Sequence, residues 1–304
     1  MDTDTTEKLR RLAFTPMRTQ PPNATRPILE QAAKEVEVVD GGKVVHYLWG
    51  EGEPRILLVH GWAGNAGHLT VLAEALGRAG CAVVVADLPG HGESEGAESS
   101  VIHFARAVEA AHARFGPFHA VVAHSLGAAA TTLAMERGVT LDRAVFVNPI
   151  SSYTSLWRRS GEVMQVTPEA IALVRARAQE WLGVSFDAIE PAAAARDFTS
   201  RLLVVHDEND PESPITDSET LVAAWGQAEL MRVRDLGHTK VLRDDAVIRR
   251  VVDFLTADGA GGGSVSGVDH IDGTGAGDGS IGGTGDVDRT GAGGGAAGGG
   301  APGR

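Results

Sequence analysis

The sequence predicts an α/β fold: a mostly parallel, eight-stranded sheet with helices on both faces and a small helical cap insertion. Three observations carry this expectation. Short apolar runs alternate with helix-period segments from residue 55 onward, the rhythm of a parallel sheet covered on both sides. The residues best suited to chemistry stand just after those apolar runs, where ligands bind in such sheets. One connection, residues 150 to 199, is too long for a single crossover helix.

The elements follow in order. Residues 1–34 hold Pro21, Pro22 and Pro27 and read as a poorly ordered N-terminal extension ending in a short helix near 28–34. Residues 35–40 and 43–49 alternate around Gly41-Gly42, a hairpin signal. Strands are then expected at 55–60, 82–87, 119–124, 143–148, 201–206 and 229–234. Helices are expected at 67–79, 98–115, 126–137, 217–226 and 244–256. In the second of these, Val101, Phe104, Ala105, Val108 and Ala111 form one apolar face. The core therefore spans 35–150 and 200–257, with 151–199 inserted as a cap. Inside the insertion Thr167-Pro168-Glu169 is a helix start: a capping threonine, proline in the first turn and an acid at the positive end. Ile171, Val174, Ala178, Trp181 and Leu182 form the stripe of that helix, and a second helix is expected at 191–196.

Composition narrows the function classes. The formal net charge is −13, and six Asp against Arg289 and Arg304 place −4 of it after residue 257. An acidic body argues against nucleic acid as a partner. Glycine makes up 20 of the 46 residues from Gly259 onward. Such a segment cannot bury enough apolar surface to offset its ordering entropy, so 258–304 reads as a disordered tail. It lacks the nonapeptide period of calcium-binding glycine repeats. Cys81 is the one cysteine, so no intrachain disulfide can form; a reducing, cytoplasmic setting is expected. Neither a signal-peptide apolar core nor a run of about 18 apolar residues occurs, so no membrane span is expected. The histidines are scattered, no metal-ligand spacing appears, and Gly61 to Gly64 lacks the dinucleotide spacing, so neither metal nor cofactor is expected.

The chemistry centres on Ser125 in Ala-Val-Val-Ala-His-Ser-Leu-Gly, residues 120–127. An apolar run feeds a serine flanked by Ala123 and Gly127, and an alanine-rich helix follows. A strand, a sharp turn and a helix would leave the hydroxyl exposed at a helix N-terminus. The usual pattern is Gly-x-Ser-x-Gly, and Ala123 departs from it while remaining small. Three more segments accompany it: His60-Gly61-Trp62-Ala63-Gly64 after one strand, Asp87-Leu88-Pro89-Gly90-His91 after the next, and Asp207-Glu208-Asn209-Asp210 followed by Leu236-Gly237-His238.

Together these segments make residues 35–257 resemble the α/β-hydrolase family, which carries its serine, acid and histidine in this chain order. The resemblance implies a serine esterase with a catalytic triad. Ser125 would attack, and His238 would take its proton. Asp207 and Asp210 both follow the strand at 201–206; the family's placement of the acid favours Asp210. The alternative position, after the preceding strand, reads Asn148-Pro149 and offers no carboxylate. The backbone N–H groups of Trp62 and Leu126 would form the oxyanion hole. Trp62, Tyr153 and Trp157, with Met164, are candidates to line a substrate pocket, the competing role being to pack the insertion onto the core. His60, His91, Asp87 and Glu93 read as residues that organise loops, and His124 as structural. The implied partner is a small-molecule ester. Thioester, lactone and C–C cleavage, perhydrolysis and plain ligand binding remain open, as does the oligomeric state.

Overall fold

The computed structural model describes residues 2–257; the tail expected to be disordered, 258–304, lies outside them. The strands are β1 (Ala33–Val39), β2 (Gly42–Trp49), β3 (Arg55–Val59), β4 (Ala82–Asp87), β5 (Ala120–His124), β6 (Arg143–Val147), β7 (Arg201–Asp207) and β8 (Ala228–Val233). They form one sheet in the order β1-β2-β4-β3-β5-β6-β7-β8. β1 and β2 pair antiparallel, β2 meets β4 antiparallel, and every later pairing is parallel. The β1–β2 hairpin closes through Asp40 and Gly41, both at positive φ (50° and 82°), as the twist of a two-residue turn requires.

The helices are α1 (Thr3–Phe14), α2 (Arg26–Glu30), α3 (Thr70–Arg78), α4 (Val101–Phe115), α5 (Leu126–Glu136), α6 (Tyr153–Val163), α7 (Pro168–Leu182), α8 (Pro191–Ala194), α9 (Ile215–Ala224), α10 (Gly237–Lys240) and α11 (Asp245–Thr256). Side chains alternate across the sheet, and each face has its own core. Leu57, Val59, Val121 and Phe146 pack with Phe104 and Val108 of α4 and with Leu133 of α5. Ile56, Leu58, Val122 and Val145 pack with Leu72 and Leu76 of α3 and with Val251 and Phe254 of α11. The central strands β4, β5 and β6 are buried on both faces, which is why they read as continuous apolar runs rather than as alternation.

Between β6 and β7 lie α6, α7 and α8. The start of α7 follows its sequence signal: Thr167 Oγ1 accepts from the Ala170 N–H, Pro168 occupies the first turn, and Gly183 ends the helix in the left-handed region. The N-terminal segment differs from expectation. Residues 3–14 are helical, capped by Asp2, whose carboxylate accepts from the Thr5 N–H at 2.8 Å. Phe14 is buried among Trp157, Trp181 and Phe186, and Arg10 is buried over the Trp181 ring. Those partners lie about 150 residues away in sequence, so no local pattern announces them. No helix among the described residues is long and apolar enough to cross a membrane.

Candidate active site

The loops that follow β3, β4, β5, β6, β7 and β8 carry His60, Leu88, Ser125, Asn148, Asp210 and His238 at the carboxyl edge of the sheet. Ser125 is the turn between β5 and α5, with φ 52° and ψ −119°. That conformation is strained for a residue with a Cβ. It is held on the strand side by the Ser125 N–H, which donates to the Val147 carbonyl at 3.0 Å. On the helix side Gly127 lies against the β3 backbone. A Cβ there would fall 2.6 Å from the His60 carbonyl oxygen and 2.9 Å from that of Val59.

This close approach makes a prediction. Gly127→Ala is expected to force strand and helix apart, because the atoms it meets are backbone and cannot rotate away. A cost of about 1–3 kcal/mol is expected from such overpacking, with the loss read as a lower Tm. Gly77→Ala in α3 is the control, since a Cβ there meets nothing within 4 Å. If both variants melt together at or above the parent, the turn at Ser125 is not tightly packed.

The turn after β3 lies against the turn at Ser125. A Cβ on Gly61 would come 3.0 Å from Ser125 Cβ. Two donors pin the Gly61 carbonyl: His60 Nδ1 at 2.7 Å and the Gly64 N–H at 3.1 Å. Because a trans peptide holds its C=O and N–H antiparallel, anchoring that oxygen also sets the direction of the Trp62 N–H. Ala63 sits at φ 55°, and its N–H donates to His91 Nε2 at 3.1 Å. His91 Nδ1 in turn donates to the Pro89 carbonyl at 3.0 Å, and His60 Nε2 accepts from the Leu88 N–H at 3.0 Å. Both imidazoles therefore serve as neutral struts between the two loops. The Trp62 ring, 36% exposed, packs on His91 and Phe104. Asp87 fastens the same loops by accepting from the N–H groups of Ala66 (2.7 Å) and Glu93 (2.8 Å). The Leu126 N–H belongs to the first turn of α5, where no intrahelical acceptor exists.

The structure brings Asp210 and His238 together. His238 Nδ1 lies 2.7 Å from Asp210 Oδ2. The same carboxylate accepts from Ser213 Oγ at 3.1 Å, the Glu212 N–H at 2.8 Å and the Ser213 N–H at 3.3 Å. Burial opposes ionisation of Asp210, but the bond to His238 and the two backbone donors outweigh it and hold its carboxyl below the usual range. An ionised Asp210 fixes the proton of a neutral His238 on Nδ1 and leaves Nε2 as the base. Asp207, the other carboxylate offered by the sequence, points elsewhere. It accepts from the N–H groups of Leu236 (2.6 Å), Gly237 (2.9 Å) and Asn209 (2.7 Å), and so holds the backbone beneath the His238 ring.

Sequence reasoning gave Asn148 no role and His124 only a structural one, without its partner. His124 Nε2 donates to the His238 carbonyl at 2.8 Å, and its ring centroid lies 4.6 Å from that of His238. Asn148 Nδ2 donates to the same carbonyl at 3.2 Å, while its Oδ1 accepts from the Asp207 N–H at 2.9 Å. A polar residue ending an otherwise apolar run was the available signal for both. Glu212 is a third neighbour: its Oε2 lies 3.7 Å from His238 Nε2, at the mouth of an open cleft of about 410 Å³ that also involves Asn209, Asp235 and Lys240. The pocket candidates are placed differently from one another. Tyr153 is buried, its ring 4.8 Å from Phe186 and 6.5 Å from Trp157, in the cluster that includes Phe14. Met164 is exposed at the end of α6.

Buried imidazoles also set acid sensitivity. Burial lowers His91 and, in β2, His46 to about 4, and it lowers His124 to about 3. The unfolded chain therefore takes up protons first as the pH drops below an ordinary histidine value of about 6.5. Stability from these groups is complete above that value and is lost as the pH falls toward 4. Glu37 and Asp87, raised by burial, act with the opposite sign. The histidines should dominate, with Tm falling by about 5 °C or more from pH 7 to pH 5. A melting temperature that is flat or rises toward pH 5 would contradict this balance.

Comparison with known proteins bears on the whole fold. The model of the Alpha/beta hydrolase family matches residues 56–254. No curated protein matches the sequence. Among solved structures, the chain is similar to Est1E from Butyrivibrio proteoclasticus, solved with ferulic acid bound (TM-score 0.59, 20% identity, 73% of this chain and 96% of that one). It is also similar to the esterase RhEst1 from Rhodococcus sp. ECU1013 (0.57, 18%, 74% and 98%) and to the Pyrococcus furiosus esterase Pf2001 (0.59, 15%, 79% and 95%). At these identities the likeness is one of fold.

Proposed function

The chain belongs to the alpha/beta hydrolase family, and from that premise we propose that it is a serine hydrolase that cleaves carboxylic esters through an acyl-enzyme intermediate. The observation that carries the reading is the 2.7 Å bond from His238 Nδ1 to Asp210, on a histidine whose backbone is tied to the residue preceding Ser125. A serine hydroxyl is a weak nucleophile near pH 7 and needs a base as it attacks. His238 Nε2 takes the Ser125 proton while Oγ bonds to the ester carbonyl carbon. The carbonyl oxygen becomes an oxyanion and accepts from the Trp62 and Leu126 N–H groups. Collapse breaks the bond to the alcohol, which leaves with the proton from His238. Water repeats the sequence and frees the acid. Asp210 orients the ring and stabilises the imidazolium throughout.

Trp62 is the pocket wall we assign, with its ring partly open to solvent; Tyr153 and Trp157 belong to the aromatic cluster with Phe14 and Phe186, and we assign them to packing the insertion. The insertion 151–199 acts as the cap. Buried Cys81 as the one cysteine supports a reducing, cytoplasmic setting.

The test is treatment with a fluorophosphonate, followed by intact mass and peptide mapping. One adduct per chain on the peptide carrying Ser125 is expected, the Oγ–P bond replacing P–F. A folded protein that takes no adduct, or takes it elsewhere, would sink the reading. Panels of matched esters, thioesters and lactones then sort the bond cleaved.

A further inference from the structure

Residues 14–19 run from the end of α1 across two loops of the candidate site. The Phe14 carbonyl accepts from the Ser99 N–H at 2.7 Å. Arg18 Nη1 and Nη2 donate to the carbonyls of Gly92 (2.8 Å) and Gly96 (2.9 Å). Thr19 Oγ1 donates to the Ala63 carbonyl at 2.8 Å and accepts from Asn65 Nδ2 at 3.0 Å, while the Thr19 carbonyl accepts from the same amide at 3.1 Å. At its other end the segment grips the insertion. Glu7 pairs with Arg177 of α7 at 3.1 Å, Arg10 lies 4.4 Å over Trp181, and Phe14 meets Trp157 and Trp181 at 5.5 and 5.3 Å.

Ala63 is the residue that needs this support. It holds a left-handed conformation with a Cβ, which persists only where surroundings over-determine it. Its N–H is tied to His91 and its C=O to Thr19, so both peptide groups flanking Ala63 are fixed. The second of those peptides carries the Gly64 N–H, which donates to the Gly61 carbonyl at 3.1 Å, and the Gly61–Trp62 peptide held in this way carries the Trp62 N–H, the proposed oxyanion donor.

We propose that Thr19 is a positioning residue: its hydroxyl locks the Ala63 peptide and thereby aims the Trp62 N–H, and the N-terminal segment that carries it couples the cap to the oxyanion turn. The proposal rests on the hydrolase reading above. It follows that displacing α1 from α7 would slacken a donor on the far side of the strap.

Thr19→Val keeps the shape and removes the hydroxyl. The expected result is a fall in kcat of about tenfold, a fraction of the 10²–10³ lost when such a donor is removed outright. KM should stay within about twofold, because the donor works on the oxyanion and not on the bound ester. The rate of fluorophosphonate labelling should fall in parallel, since the phosphonyl oxygen occupies the same hole. Tm should fall by no more than a few degrees, from the hydrogen bonds lost at Ala63 and Asn65, and Thr19→Ser should restore kcat. Wild-type kcat in Thr19→Val overturns the proposal, and so does a loss that Thr19→Ser fails to rescue. Should Thr19→Val fold poorly, Arg18→Gln loosens the strap from an exposed position and is expected to lower kcat two- to threefold; no change there overturns the proposal as well. If the wild-type protein neither labels nor hydrolyses any ester, it is the hydrolase reading that fails, not the strap.

Discussion

Ser125→Ala is expected to reduce ester turnover by about 10⁴- to 10⁶-fold while leaving the fold intact. At the lower bound this is about 5.5 kcal/mol of transition-state stabilisation. The Oγ supplies the bond-forming electron pair, and no neighbouring group can replace it at that point of the backbone. Among the described residues Ser125 Oγ makes no hydrogen bond that the fold would lose, and the backbone strain at φ 52° is borne equally by alanine. A Tm within a degree or two of the parent is therefore expected, together with complete loss of the fluorophosphonate adduct. Residual binding of ester should survive, because the oxyanion donors and the Trp62 wall are untouched. Turnover retained within about tenfold of the parent would show that Ser125 is not the nucleophile.

Asp210→Asn is expected to lower kcat by about 10³- to 10⁴-fold, the scale seen when a triad carboxylate becomes an amide. The amide oxygen can still accept from the Glu212 and Ser213 N–H groups, so the loop after β7 should hold. The amide nitrogen would then face His238 Nδ1, which must become an acceptor. The imidazole proton moves to Nε2, the atom that has to receive the Ser125 proton, and the base is lost without loss of structure. Asp207→Asn makes the contrast. Its carboxylate accepts three backbone N–H groups, two on one oxygen, and an amide cannot satisfy both sides. That variant should lose stability first, by about 1–3 kcal/mol for unsatisfied buried donors, and activity only as the loop slackens. If instead Asp207→Asn loses the larger share of kcat at unchanged Tm, the two carboxylates have been assigned the wrong way round.

Much of the fold was legible because the sheet is buried on both faces. Its central strands had to be continuous apolar runs, and the polar residues that interrupt them mark the strand ends. β3, β4, β7 and the helices α4, α5 and α11 therefore lie within a few residues of their expected spans. α6 was not legible: Tyr-Thr-Ser-Leu-Trp-Arg-Arg-Ser carries no clean stripe, and its cap is the unassuming Ser152. Nor was α1, where Glu7, Arg10 and Arg11 look like a solvated face. Its order comes from Phe14 and Arg10 finding tryptophans on α6 and α7.

By itself the sequence determined the α/β architecture, the alternation that sets the order of strands and helices, and the short set of residues at the carboxyl edge from which Ser125, Asp210 and His238 were drawn. These are properties of local patterning, and patterning is written along the chain. Asp210, the carboxylate that the family resemblance already favoured over Asp207, is the one bonded to the His238 ring; the tertiary structure alone decided that His124 and Asn148 carry the His238 carbonyl, and that Thr19 reaches the turn at Ala63. Those are choices of direction at a distance of a few ångströms. They depend on where separate loops meet in space, and no spacing in the sequence encodes that.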